Sequence, residues 1–248
     1  MPENRPDLGE FFSVQWCRTR LVRLLRDYFC CARLDPAEPG ACLGPGQGTP
    51  LQRVGTDLTF YYDAADRLAR VTPDLYVMEG LGYDEQLRSF RVYERGLRPE
   101  LVLHIVDAAH SPEDGLLMHF LRLGVRDVVL YDPLWWMQPG ATPKGRRLLW
   151  HYRRARPESA ASGPEVMLLQ PQEHPGRIYL ARYNLWLVHR GGADLRIYQG
   201  RSGSGAGDST QPPAESDLWL LPEERACLRA GEASAATATA VRLAPPVP

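Results

Sequence analysis

The stretch Leu101-Val102-Leu103-His104-Ile105-Val106-Asp107 decides how the chain is read. It is almost wholly apolar, as a strand covered on both faces would be. Residues 113–123 (EDGLLMHFLRL) then read as a helix with acids at its start, and Gly124 is placed to cap its C-terminus. Val125 to Tyr131 (VRDVVLY) is the next strand, closed by Asp132-Pro133. Strand, helix and strand within about thirty residues fit a right-handed crossover onto a parallel neighbour.

Upstream, Val14, Cys17, Leu21, Leu24, Leu25 and Tyr28 recur at steps of three and four, which predicts a helix over 10–33. Arg18, Arg20, Arg23 and Arg26 fall largely between them. An amphipathic helix with an Arg-rich wet face is the plain reading, and a phosphate-tracking face is the sharper one. Residues 35–56 are rich in Gly and Pro and read as a loop. Strand-like runs follow at 58–63 (LTFYYD), 70–79 (RVTPDLYVME) and 89–94 (SFRVYE), with Pro73 near a strand start, where it is tolerated.

Downstream, strand-like pieces lie at 148–153, 166–170, 184–190 and 194–199, with a hairpin turn at Gly191-Gly192. Segments 155–164 and 201–215 read as mobile. A last helix starts at Pro222-Glu223-Glu224, and the Ala/Thr-rich tail 232–248 is expected to fray. The organisation is therefore an N-terminal arm (1–9), one domain (10–200), a flexible loop (201–215) and a C-terminal extension (216–248).

The chain has 248 residues, enough for one sizeable core. It carries 29 basic and 30 acidic residues, so no global field demands nucleic acid or a membrane as partner. No apolar run approaches the roughly 18 residues of a membrane span. The start MPENRPDLGEFF lacks the pattern of a secretory signal. Five cysteines without a CxxC pair suggest free thiols in a reducing cytoplasm. Lys144 is the single lysine, so any mechanism that needs one has one candidate. Motifs of the types GxSxG, GxxxxGK[ST] and HExxH are absent.

Three segments taken in order are informative: Val71-Thr72-Pro73-Asp74-Leu75-Tyr76-Val77, Arg98-Pro99-Glu100 running into Leu101–Asp107, and Phe120 to Pro133. Together they resemble a large bacterial family of restriction endonucleases within the PD-(D/E)xK nuclease-like superfamily. Phe60-Tyr61-Tyr62-Asp63, Ser89 to Gly96, Leu185 to Gln199 and Leu220 to Glu224 extend the likeness over most of residues 10–228. The resemblance implies an α/β fold: a restriction-endonuclease-like mixed sheet flanked by helices. It implies metal-assisted phosphodiester hydrolysis, in which carboxylates hold Mg²⁺ and a lysine stabilises charge.

Carried over residue by residue, the resemblance places Asp74 on the first metal-binding Asp, as a catalytic and metal residue. The family's strand Glu falls on His104, and its Lys falls near Leu116. The chain thus departs from the pattern at two of three central positions. Alternation along the strand puts Glu100, Val102, His104 and Val106 on one face, with Glu100 about 13 Å from position 104 at roughly 3.3 Å per residue. Asp107 and Glu113 are candidate migrated acids, and His110 and His119 candidate neighbours. His104 is either a neutral histidine satisfied within a core or a metal ligand beside Asp74, better suited to Mn or Zn than to Mg.

Two functions follow as expectations. One is a catalytically degenerate nuclease-fold protein with no cofactor, acting as a binding or complex subunit towards protein or DNA. The other is an active endonuclease with a rearranged site, using Mg or Mn. The resemblance also implies a homo-oligomer, with a homodimer as the first form. Trp135-Trp136 and the basic run Lys144–Arg156 (KGRRLLWHYRRAR) are further candidate contact surfaces, the latter either a phosphate-tracking strand pair or a solvated basic edge.

Overall fold

The apolar run becomes a central strand. The computed structural model describes residues 8–31, 52–81, 87–106, 115–133, 148–156, 164–172, 174, 176–191, 194–200, 213–214, 217–221 and 223–227. In chain order its elements are α1 (Leu8–Cys31), β1 (Gln52–Gly55), β2 (Thr59–Tyr61), β3 (Arg70–Val71), β4 (Leu75–Glu79), β5 (Ser89–Arg91) and α2 (Val92–Arg95). They continue with β6 (Pro99–Ile105), α3 (Leu116–Leu123), β7 (Asp127–Tyr131), β8 (Leu149–Ala155), β9 (Val166–Leu169), β10 (Arg177–Leu180), β11 (Leu185–His189) and β12 (Leu195–Gln199).

Six strands form one sheet in the order β1-β4-β6-β7-β8-β9. Only β6 and β7 pair in parallel, from Leu101↔Asp127 to Ile105↔Tyr131, across the α3 connection. The other neighbours are antiparallel. The strand–helix–strand unit read from the sequence is therefore present, in a mixed α/β sheet. Gly124 ends α3 in the left-handed conformation at φ 83°, donating its N–H to the Phe120 and Leu121 carbonyls.

The pleat sends β6 side chains to two cores. Leu101, Leu103 and Ile105 join Val129, Tyr131 and Leu149 on one face. There α1 and the antiparallel sheet β10-β11-β12 cover them. Val102 and Val106 join Val128, Leu130 and Trp150 on the other face, under Phe120 and Leu123 of α3 and the small sheet β3-β2-β5. Each such side chain contributes about 1.5–3 kcal/mol on burial, so the two-sided cover explains why β6 has no polar alternation. On α1, Cys17, Leu21, Leu24, Leu25 and Tyr28 are all buried, as their spacing predicts.

Several expectations change. The loop read over 35–56 contains β1, whose QRVG sequence has too little apolar content to signal a strand. Gly55 lies opposite Tyr76, and a Cβ there would collide with the tyrosine hydroxyl, so the close approach requires glycine. The run 70–79 is two strands in two sheets, parted at Thr72-Pro73-Asp74. The run 89–94 is a three-residue strand followed by one helical turn. In the basic segment, residues 148–156 form neither an exposed strand pair nor a solvated edge, because β8 lies between β7 and β9 with Trp150 and His151 buried, while residues 144–147 lie outside the described residues. The segments 157–163 and 201–212, the tail 232–248 and Trp135-Trp136 lie outside the described residues.

The chain's late part returns to its early helix. Leu218 bridges Tyr198, and Trp219 donates its backbone N–H to the Ile197 carbonyl. Trp219 Nε1 donates to Asp27 on α1 at 2.9 Å, and Arg225, in the helical turn 223–227, reaches the same carboxylate at 3.0 Å. Glu224 accepts from Arg20 at 2.6 Å and from Arg196 at 3.2 Å. Among the described residues, no helix is long and apolar enough to cross a membrane.

Candidate functional site

Asp74 stands just ahead of β4, where Pro73 interrupts the chain between the two sheets. The β4–β6 ladder ends with Leu75 opposite Leu103, so the Ile105 N–H points past the last pair. Asp74 Oδ2 takes the place of a strand carbonyl and accepts that N–H at 2.9 Å. The carboxylate thus clasps the end of β6.

His104 projects from β6 towards α3, its ring centroid 6.1 Å from that of Phe120. Its Nδ1 lies 2.7 Å from Asp74 Oδ2. The pair is close, but the Nδ1 atom is buried without a hydrogen-bond partner. Arg18 of α1 completes the group. Its Nε donates to the Asp74 carbonyl at 3.3 Å and lies 3.8 Å from Oδ1, while its other end pairs with Asp57. Burial alone would raise the Asp74 carboxyl. The His104 ring, the Ile105 N–H and the Arg18 guanidinium outweigh it and hold the carboxyl below its usual range.

The fold therefore brings Asp74 and His104 together. Among the described residues, the donor set does not fit a hard divalent cation. Oδ2 already faces one N–H and one imidazole, and a guanidinium stands beside Oδ1 where a second carboxylate would be needed. Among the described residues, no group of three or more His, Cys, Asp or Glu converges to hold a metal.

The neighbours considered as substitutes go elsewhere. Glu100 does not share the His104 face. The pairing shifts from Val77↔Leu101 to Met78↔Pro99, leaving Glu100 as the extra residue of a bulge, and its carboxylate lies 3.9 Å from Arg182 on the opposite side of the sheet. His119 pairs with the Tyr62 hydroxyl at 2.6 Å. Leu116 opens α3 and packs against the core. Asp107, His110, Glu113 and Lys144 lie outside the described residues.

Sequence reasoning missed two elements of the polar architecture. Arg18 reads as one of several arginines on a wet helix face, and nothing local marks it as the one that reaches Asp74. The second is the buried Asp127–His151 pair with the half-buried Arg153 beside it, which adjacent strands bring together. No protein-family model matches the chain, and no curated protein does.

Proposed function

We propose that this chain is a catalytically silent, nuclease-fold binding protein that acts in the cytoplasm as a subunit of a complex with protein or nucleic acid. The observation that carries this reading is the closure of the Asp74 carboxylate by His104, the Ile105 N–H and Arg18. A catalytic metal-binding Asp works beside a second acid, whereas here a guanidinium stands 3.8 Å from Oδ1 and no metal-holding group of three or more His, Cys, Asp or Glu forms among the described residues. Here the carboxylate is used to tie three elements together. The order α1, β1, β4, β6, α3, β7, with the Pro-Asp strand antiparallel to β6 and β6 parallel to β7, supports the family resemblance.

Incubation of the purified chain with plasmid and with single-stranded DNA, in Mg²⁺ and then in Mn²⁺, tests the proposal beside Asp74→Asn and Asp74→Ala. The expected result is no cleavage above the variants in either metal. Cutting by the wild type alone would overturn it in favour of an active, rearranged endonuclease with His104 as a ligand. Light scattering then separates a homodimer, the form the resemblance suggests, from a chain that waits for another subunit.

A further inference from the structure

The small sheet β3-β2-β5 presents a polar outer face whose arrangement points to a ligand. Tyr61 on β2 is in register with Arg70 on one side and Arg91 on the other. Register partners share a face. The preceding row, Val71, Phe60 and Phe90, is buried in the core, so the row Arg70–Tyr61–Arg91 turns outward. The loop between β2 and β3 adds Arg67 to the same concavity, and Tyr93 closes its far side. The hollow measures about 600 Å³ and is open to solvent.

The loop is held in shape by its own side chains. Asp63 accepts the Ala65 N–H and Asp66 accepts the Leu68 N–H, both at 2.8 Å. Asp63 is the one acid lining the hollow, against three arginines. Arg91 pairs with Glu94 at 2.8 Å, an exposed contact of little energetic weight that a stronger anion displaces. Arg70 donates to the Tyr61 hydroxyl at 3.3 Å. Among the described residues, neither Arg67 nor Arg70 forms an ion pair. A concave surface with guanidiniums free of ion pairs around the half-buried Tyr61 ring and the exposed Tyr93 ring fits a phosphate chain with unpaired bases. A duplex would keep its base faces stacked away from the rings.

We propose that the outer face of β3-β2-β5 binds single-stranded nucleic acid, with a base stacked on Tyr61 or Tyr93 and the backbone phosphates held by Arg67, Arg70 and Arg91. This site is separate from Asp74 and His104, and it requires no metal.

Fluorescence anisotropy of a labelled oligo(dT) of about fifteen nucleotides, spanning one site of this kind, tests the proposal in EDTA, where cleavage cannot contribute. Saturable binding is expected, with log K falling against log salt at a slope of about −2, since three phosphates contribute about 0.7 each. Arg67→Ala should reduce that slope by about 0.7. Tyr61→Ala should weaken binding about tenfold, whereas Tyr61→Phe keeps the ring and should keep the affinity. Arg23→Ala, on the exposed side of α1, should leave binding unchanged. No binding, equal binding of the matching duplex, a response to free ATP without any to the strand, or binding untouched in the Arg67→Ala/Arg70→Ala chain would each overturn the proposal. Circular dichroism of each variant checks that these changes leave the fold intact.

Discussion

His151 Nε2 lies 2.8 Å from Asp127 Oδ1, and both residues are buried, to 4% and 1% exposure. Arg153 Nε donates to the same oxygen at 3.0 Å. The three sit on adjacent strands β7 and β8, so the contact also fixes the pairing register at the sheet's interior.

Removing that carboxylate should be felt strongly. Asp127→Ala leaves a buried imidazole and a guanidinium without their acceptor, and we expect a loss of about 3 kcal/mol in a urea titration. The pH dependence has a definite sign. Burial alone would raise the Asp127 carboxyl, but His151 and Arg153 hold it below its ordinary value. A carboxyl depressed in the folded state contributes stability above its unfolded pKa of about 3.9, and that contribution is lost as pH falls through the folded value. The wild type should therefore lose stability below about pH 4, and Asp127→Asn should flatten that part of the curve. An unchanged acid limb in the variant would refute the assignment.

Asp74 should prove structural before it proves anything else. Asp74→Ala leaves the Ile105 N–H without its acceptor at the end of β6, and a loss of about 2 kcal/mol is expected. Arg18→Ala should cost less in the Asp74→Ala background than in the wild type, because the pair has already been broken. A double-mutant cycle by denaturant unfolding reads that coupling. Strict additivity would mean that Arg18 acts through Asp57 and the Asp74 backbone carbonyl rather than through the Asp74 carboxylate.

Gly55→Ala tests the contact of the edge strand. The new methyl would meet the Tyr76 ring well inside van der Waals contact, so β1 must shift from β4. About 1–3 kcal/mol of destabilisation is expected. Hydrogen exchange should show faster opening of residues 52–55 than of β6 and β7.

The cysteines should differ in reactivity. Burial, reinforced by the nearby Asp194 carboxylate, pushes the Cys17 thiol up to about 12. Cys227 is exposed. At pH 8 in the folded protein, iodoacetamide should label Cys227 and spare Cys17, as peptide mass mapping would show. Labelling of both at similar rates would mean that α1 opens readily from the sheet.

What the sequence discloses follows from how local each cause is. Strand β6 and helix α3 are legible because an apolar run and a 3.6-residue stripe are properties of contiguous residues. Strand β1 is not, because Gln52, Arg53 and Gly55 acquire strand geometry only from β4 beside them. The bulge at Glu100 is invisible for the same reason: it arises from a mismatch between two strands, and it reverses the side chain that simple alternation assigns. Asp74 and His104 are visible as motif positions, but Arg18 is 56 residues from Asp74 in the chain and carries no local mark. The Asp127–His151 pair likewise needs the β7–β8 register before it can be seen.

The return of residues 217–227 to α1 has a consequence for synthesis on the ribosome. Helix α1 emerges before the residues that pair with its Asp27 and Arg20, which lie 174 to 204 residues further on. At about 5–20 residues per second, the nascent helix waits on the order of ten to forty seconds for them. Over that interval its leucine stripe must be shielded by the growing sheet or by a chaperone. A force-sensitive arrest peptide fused behind the chain should therefore register a late pulling event only once residue 225 has cleared the exit tunnel; its absence would mean that α1 docks fully without the latch.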